Sequence, residues 1–557
     1  MKGAEILVKA LQHEGVKILF GYPGGSVLPL FDVLYDEGLR FILVRHEQGA
    51  AHAADGYARA SGSVGVCIAT SGPGATNLVT GLATAYMDSI PVVAITGQVA
   101  THLIGNDAFQ EVDTTGITRP ITKHNFLVKD VKELGRTVSE AFHIARTGRP
   151  GPVLIDLPSD VQRADGEPFA PGEPVAIRSY RPNYEGHPLQ IQRAARLLSD
   201  ARKPLVLAGG GVILANASDA LRECVDTLGI PVTSTLMGLG AMPSDHPLFL
   251  GMLGMHGTVY ANKAVQECDV LLAVGARFDD RVTGKISEFA PRAKIIHIDI
   301  DPTSLEKNVR VDVPIVGDAG RILPELIARA TPPAAEEWRK LIAEWKRKYP
   351  LTYDANGGLK PQFVIQTISC MTDGEAIVCT EVGQNQMWTA QYFAFKKPRT
   401  LITSGGLGTM GFGFPAAIGA QLAFPDRTVF DIAGDGSIQM NIQELATAVC
   451  NRLPVKIIIL NNCCLGMVRQ WQQLFYKRRY SYTCFDGAQP DFVKLAEAYG
   501  AVGYRADTPE SFEKALASAL KEREKPVLID CRVACEENVF PMVPAGASLH
   551  EMMEGLA

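Results

Sequence analysis

No run of lysine or arginine stands out in this chain, and its formal net charge is only -6 over 557 residues. Nothing in the charge pattern therefore points to nucleic acid. Long hydrophobic runs are missing too: stretches such as Ile90 to Ile95 are short and interrupted, so no transmembrane helix is expected. The eleven cysteines show no paired Cys-X-X-Cys spacing. Free or buried thiols in a reducing cytoplasm fit that scatter better than disulfides or zinc. No short-period repeat is visible. Between Met1 and Gly15, Ile6, Leu7, Ala10 and Leu11 alternate with charges, the pattern of an amphipathic helix opening a fold rather than of a signal peptide.

What is present is a chain too long for one core, with 46% hydrophobic and 20% charged residues, as a globular enzyme has. Short β-rich apolar runs alternate with helical stretches, which predicts α/β architecture with three doubly wound parallel-sheet domains. The first block, 1–165, includes Ile18 to Phe20, Phe41 to Val44, Val64 to Ala69, Val92 to Thr96 and Val153 to Leu157. Asp165 to Tyr184 reads as a linker. The second block, 186–330, carries Pro204 to Ala208 running into Gly209-Gly210-Gly211, Asp269 to Gly275, and Ile295 to Asp301. Strands that end in glycine or in acid are what nucleotide-binding α/β domains use. A charged helical segment, Glu336 to Lys348, precedes the third block, 360–557.

The third block holds the most informative spacing. Gly434-Asp435-Gly436 closes the run Thr428 to Ala433, and 24 residues (437 to 460) separate it from Asn461-Asn462, which closes Val455 to Leu460. Adjacent parallel strands would bring a carboxylate and an amide oxygen to one sheet edge. Hard oxygen ligands suit Mg²⁺, which takes much of its shell from phosphates and water, and the glycines admit a diphosphate. A lone Gly-Asp-Gly is a turn; with the asparagine pair the pattern resembles the thiamine-diphosphate (ThDP) binding motif. That chemistry needs a carboxylate beside the aminopyrimidine ring. Glu47, in Arg45 to Ala51 where a strand becomes a helix, is the candidate, although the helix dipole alone would favour a glutamate there. A protonated Glu47 on the ring nitrogen would favour the imino tautomer, whose nitrogen removes the thiazolium C2 proton.

Gly21-Tyr22-Pro23-Gly24-Gly25, the Glu47 segment, Ala69 to Asn77 and Asp107 to Glu111 resemble the acetohydroxyacid synthase (acetolactate synthase) catalytic-subunit family, and the likeness runs from about residue 3 through Val539 to Pro544. The resemblance implies a pyrimidine-binding domain, a central FAD-binding domain and a diphosphate/Mg²⁺-binding domain. It implies that Gly24, Glu47, Pro73, Asn77, Gly383, Gln384, Asn385, Gly408, Met410, Gly434, Gly436, Ser437 and Met467 contact ThDP, with Met410 wedged between its rings. Asp435, Asn462 and the main-chain carbonyl of Cys464 would hold Mg²⁺. FAD would meet Arg149, Gly209, Gly210, Gly211, Thr235, Leu236, Met237, Met255 and His256. It would also meet Gly275, Arg277, Asp279, Arg281, Val282, Asp299, Ile300, Gly317, Asp318 and Ala319. The implied reaction has no redox step, so the flavin would be structural.

The same resemblance implies decarboxylation of pyruvate on ThDP and ligation of the hydroxyethyl unit to a second 2-ketoacid, pyruvate or 2-ketobutyrate. The products would be 2-acetolactate or 2-aceto-2-hydroxybutyrate, at the start of branched-chain amino acid biosynthesis. Arg277 would grip the acceptor carboxylate with paired hydrogen bonds, Trp471 would contact its alkyl group, and Phe109 and Gln110 would line the pyrimidine side. A ThDP/FAD oxidase or simple decarboxylase is the nearest alternative, and a dehydrogenase-like nucleotide-binding protein a more distant one. Further implications are a homodimer or homotetramer with sites at the subunit interface, a separate small regulatory subunit, and a cytoplasmic location. Ser159, Asn385, Asn106 and Cys463-Cys464 depart from what the family often shows, and oxidation of accessible thiols there would inactivate the enzyme.

Overall fold

The computed structural model describes residues 1–169, 175–485 and 487–555. Positions 170–174 of the expected Asp165 to Tyr184 linker lie outside the described residues. Three six-stranded sheets form, and every pairing whose register is defined is parallel. The first contains β1 (Ile18–Gly21), β2 (Arg40–Leu43), β3 (Gly65–Ala69), β4 (Val92–Gln98), β5 (His124–Leu127) and β6 (Val153–Pro158), in the order β2-β1-β3-β4-β6-β5. The second contains β7 (Pro204–Ala208), β8 (Val232–Ser234), β9 (Phe249–Met252), β10 (Val270–Val274), β11 (Lys294–Asp299) and β12 (Val313–Val316), in the order β12-β11-β10-β7-β8-β9. The third contains β13 (Ile377–Thr380), β14 (Leu401–Ile402), β15 (Val429–Gly434), β16 (Lys456–Asn461), β17 (Val502–Ala506) and β18 (Val527–Arg532), in the order β14-β13-β15-β16-β18-β17. The expected three-sheet α/β architecture is therefore present. Strands β3, β4, β7, β10 and β13 are buried along their whole length, as parallel strands covered by helices on both faces must be.

The chain groups into two compact units. One comprises Met1–Arg181, Ile377–Gly383 and Ile402–Arg532 and carries the first and third sheets; the other comprises Pro182–Ala376, Gln384–Leu401 and Val533–Ala557 and carries the second. In the first unit the two sheets are joined by a crossing of helices Glu47–Ser61 and Gly413–Ala423. Glycine makes that crossing possible. A Cβ on Gly56 would lie 2.2 Å from the Ala416 carbonyl oxygen, and one on Gly419 would lie 2.0 Å from that of Ala53. Beside it, buried Arg59 pairs with Asp55 and with Asp88 (3.0 Å) and donates to the Thr403 carbonyl (2.8 Å). Asp88 also accepts from the backbone N–H groups of Gly405 (3.0 Å) and Gly406 (2.7 Å). A buried charge network this fully partnered costs much less than its members would alone.

In the second unit the chain winds from β7 through β8 to β9, then returns beside β7 and winds the other way through β10, β11 and β12. This is the strand order of dinucleotide-binding sheets. The predicted charged segment is helix Glu336–Lys348, whose Trp338 packs with Leu205 and Leu271 and donates from Nε1 to the Pro204 carbonyl at 3.0 Å. Among the described residues no helix is long and apolar enough to cross a membrane.

Candidate active site

Ligands of open α/β sheets sit outside the carboxyl ends of the strands where the winding reverses. In the third sheet that point lies between β13 and β15, and the Gly-Asp-Gly and Asn-Asn motifs both reach its neighbourhood. β15 and β16 pair in parallel with Gly434 opposite Leu460, so Asp435 and Asn462 emerge from adjacent strands at the same edge. Ser437 closes the turn after β15, its Oγ accepting from Gly434 N and donating to Gly434 O, each at 3.1 Å. The Asn462 Oδ1 accepts from Cys464 N at 3.1 Å, which orients the loop after β16.

Asp435 is 1% exposed, and its carboxylate accepts from Gln489 Nε2. Burial pushes it up to about 7, against the hydrogen bonds that favour its ionised form. No lysine or arginine among the described residues forms an ion pair with it. A buried carboxylate without a cation is an incomplete arrangement. Among the described residues no three His, Cys, Asp or Glu side chains cluster as a metal cage. A divalent ion here would take one carboxylate, an amide oxygen and backbone, with diphosphate oxygens and water completing the shell, which is how Mg²⁺ is commonly held.

Glu47 opens its helix just after the N-cap His46, whose ring nitrogen accepts from Gln48 N at 3.1 Å. The Glu47 side chain is half-buried and accepts from Asn77 Nδ2 at 2.9 Å. Asn77 stands at the end of the short helix Pro73–Asn77, so two of the predicted pyrimidine-side residues meet directly. Gly24 packs on Thr70, whose hydroxyl lies 2.9 Å from that of Ser26. From the other side Glu444, 1% exposed, accepts from Arg45 N (3.0 Å) and His46 N (3.1 Å) and from the Thr447 hydroxyl (2.7 Å). That anchor lies 399 residues from Arg45 in sequence, and nothing local marks it.

The remaining predicted residues divide between the units. Gly383, Gly408, Met410, Gly436, Met467, Trp471, Phe109, Gln110 and Arg149 belong to the first. Gly408 stands at φ 72° in the turn before Met410, and the adjacent Thr409 hydroxyl lies 2.7 Å from that of Thr84. Trp471, on helix Gly466–Phe475, packs edge-on against Phe475 at 5.7 Å. Phe109 is 89% exposed, while Arg149 donates to the Ser89 hydroxyl at 2.8 Å. Gln384 and Asn385, both buried, belong to the second unit together with Arg277.

In the second unit Gly209-Gly210-Gly211 follows β7 and Gly275 follows β10, the two strands flanking the reversal. A Cβ on Gly209 would lie 2.0 Å from the Gly275 carbonyl oxygen, and one on Gly210 would lie 2.9 Å from Met237 Cβ. Met255 N donates to the Arg281 carbonyl at 2.8 Å, and Asp279 caps helix Asp280–Thr283 through the N–H groups of Arg281 and Val282. Asp299 ends β11, its carbonyl accepting from Gly317 N at 2.9 Å, and Asp318 caps helix Ala319–Ile327. At this edge Ser234 Oγ and His256 Nδ1 are buried without a partner among the described residues. Burial pushes His256 down to about 4, so it is neutral at physiological pH. Thr235, Leu236, Val282 and Ile300 fall among these same loops. Orphaned polar atoms beside a glycine-lined reversal fit a bound dinucleotide.

Three family models cover most of the chain: the thiamine pyrophosphate enzyme N-terminal TPP binding domain over residues 1–117, the central domain over 191–326 and the C-terminal TPP binding domain over 381–531. The probable acetolactate synthase large subunit of Methanocaldococcus jannaschii is 53% identical over 100% of this chain and 95% of its own length. The chain belongs to the acetolactate synthase large-subunit family. Two other members are the acetolactate synthase isozyme 3 large subunit of Escherichia coli, 49% identical over 99% of this chain and 98% of that one, and the Haemophilus influenzae large subunit, 50% identical over the same shares. Acetolactate synthases of this family are thiamine pyrophosphate enzymes, carboligases of the transferase type, and Gly434 to Asn462 lies within the C-terminal cofactor-binding match. The geometry around Glu47, Asn77 and Asp435 fits that cofactor.

Proposed function

We propose that this chain is the catalytic subunit of an acetolactate synthase that joins the two-carbon unit of pyruvate to a second 2-ketoacid. The observation that carries the proposal is identity of about half the residues across the full length of several acetolactate synthase large subunits. Bound ThDP supplies the electron sink for decarboxylation and for carbon–carbon bond formation. Asp435, the Asn462 side chain and the Cys464 carbonyl would hold Mg²⁺, which would offset the charge of the diphosphate. Glu47, oriented by Asn77, holds a proton at the pyrimidine nitrogen. Gly383, Gln384, Asn385, Gly408 and Met410 shape the remainder of that site, with Phe109 and Gln110 on its pyrimidine side.

The acceptor is read by Arg277, whose guanidinium matches a carboxylate in two parallel hydrogen bonds, and by Trp471 against its alkyl group. One methylene is worth only about 1–3 kcal/mol, so the preference between 2-ketobutyrate and pyruvate is modest per contact. The dinucleotide strand order and the orphaned Ser234 and His256 atoms support FAD in the central domain, at 186–330, which follows the pyrimidine domain, 1–165, and precedes the diphosphate domain, 360–557, in sequence. The reaction transfers no electrons, so the flavin is structural. An almost fully exposed Phe109 beside Gln110 supports sites completed at a subunit interface. The large-subunit relatives support a separate small regulatory subunit, and a cytoplasmic location accords with the pathway.

Product analysis with ThDP, Mg²⁺ and FAD, given pyruvate and 2-ketobutyrate together, tests the reading. Acetolactate and 2-aceto-2-hydroxybutyrate are expected, their ratio measuring acceptor preference. Acetaldehyde or oxidised acetyl products in their place would overturn the roles of Arg277 and Trp471.

A further inference from the structure

The loop after β16 carries two adjacent cysteines, and the structure separates their roles. The sulfur of Cys463 lies 3.6 Å from Asn461 Oδ1, from Gln489 Oε1 and from Arg532 Nη1. That of Cys464 points elsewhere and meets the sulfur of Cys484 at 2.7 Å. The backbones are already paired there, because Cys464 and Cys484 face each other across an isolated antiparallel bridge. Leu465 N donates to the Thr483 carbonyl (2.8 Å) and Phe485 N to the Cys463 carbonyl (2.9 Å), which makes Cys464 and Cys484 the close, non-hydrogen-bonded pair of the bridge. Such pairs hold their Cα atoms about 4.5 Å apart, inside the span of roughly 4.4–6.8 Å that a disulfide bridges.

We infer that Cys484 and Cys464 form a reversible thiol–disulfide modification site that takes low-molecular-weight disulfides of the glutathione type. Access sets the order of events. Cys484 is half-buried and open to a small reagent, whereas Cys464 is 4% exposed and is reached through its neighbour. The Cys484 thiolate attacks one sulfur of the reagent, forming a mixed disulfide and releasing one small thiolate, which takes up a proton. The Cys464 thiolate then attacks the Cys484 sulfur and expels the second small thiol. Two protein thiols are oxidised, one small disulfide is reduced to two thiols, and excess thiol reverses both steps. The bond closes the segment 465–483, which carries helix Gly466–Phe475 and the exposed Lys477, Arg478 and Arg479.

The test uses the full-length protein with oxidised glutathione at fixed pH, followed by thiol counting in denaturant, peptide mapping and limited trypsin cleavage. The exposed Cys370, Cys450, Cys463 and Cys535 take up the small thiol singly, whereas Cys464 and Cys484 are expected to leave the pool of eleven thiols together, with their peptides cross-linked. Chains nicked at Lys477 to Arg479 are expected to migrate intact without reductant and to separate with it. In Cys464→Ser the small thiol stays on Cys484 as a mixed disulfide; in Cys484→Ser the Cys464 thiol stays free. A count that stays at eleven, a lasting glutathione adduct on wild-type Cys484, or a cross-link through Cys463 would each overturn the inference. None of these readouts depends on the ketoacid chemistry.

Discussion

The first and third sheets share one strand order, yet they do not partner all their buried acids alike. In the first, Asp156 on β6 accepts from the Thr96 hydroxyl at 2.7 Å and from Gln98 Nε2 at 3.0 Å. In the third, Asp431 on β15 is fully buried and neither carboxylate oxygen has a partner among the described residues. Glu381, after β13, accepts from Gly411 N (2.5 Å) and Phe414 N (3.1 Å), and burial still pushes it up to about 7. Asp435 is equally short of positive charge. Topology therefore places acids without deciding their state. Burial pushes Asp156 up to about 7 as well, and the third sheet's own Asp530 pairs with Arg505 (3.4 Å) and Arg532 (3.1 Å); the difference lies at Asp431 and Asp435, which require a proton or a cation from outside.

The contrast is broken most sharply at Glu47, the acid that stays half-exposed and hydrogen-bonded. Glu47→Gln keeps its size and an acceptor for Asn77 but abolishes proton transfer. Turnover is expected to fall about 10²–10⁴-fold with the thermal midpoint unchanged. Steady-state rates and melting on the same preparation check both halves. The crossing that joins the two sheets comes next. In Gly419→Ala the new methyl would start 2.0 Å from the Ala53 carbonyl oxygen, which is backbone and cannot swing aside. A loss of about 3 kcal/mol is expected in denaturant unfolding.

Asp431 sharpens the comparison through pH. Burial first, and the negative charge of Glu381 second, raise its carboxyl well above the ordinary range. A raised folded value favours the native state below the unfolded value of about 3.9, and that advantage is lost as pH rises. Stability is therefore expected to decline as pH rises above about 4, by up to about 1.4 kcal/mol per pH unit for one proton. Asp431→Asn carries no proton to lose and should flatten the profile. Parallel profiles for the two proteins would show that Asp431 is ionised in the fold.

How much of this was legible in sequence follows from how local each feature is. β15 and β16 announce themselves as apolar runs closed by Gly-Asp-Gly and Asn-Asn, and helix Glu336–Lys348 by its charge pattern. β14, two residues long, and β5, a half-exposed edge strand, carry too little apolar signal to stand out. That the chain groups by its first and third sheets rests on Gly56 and Gly419, ordinary small residues until their partners are known. Asp435 and Glu47 could be proposed from motifs. The Cys464–Cys484 pairing and the contact of Glu444 with Arg45 and His46 could not, because each depends on a backbone path between distant positions.

Glu444 gives the smallest effect and the finest test. Its carboxylate satisfies two backbone N–H groups just before the helix that begins with Glu47, so it fixes where that helix starts. Gly49 leaves it room, since a Cβ there would lie 2.6 Å from Glu444 Oε1. In Glu444→Gln one oxygen remains to accept, but the amide NH₂ now faces a donor or turns away. About 1 kcal/mol should be lost, seen as a roughly fivefold fall in kcat with little change in KM for pyruvate. A shift of the kcat pH profile should accompany it, because a displaced helix start moves Glu47 relative to the group it protonates. A purely structural Glu444 would lower the melting temperature and leave that profile where it was. The third sheet would then hold the first without tuning its acid.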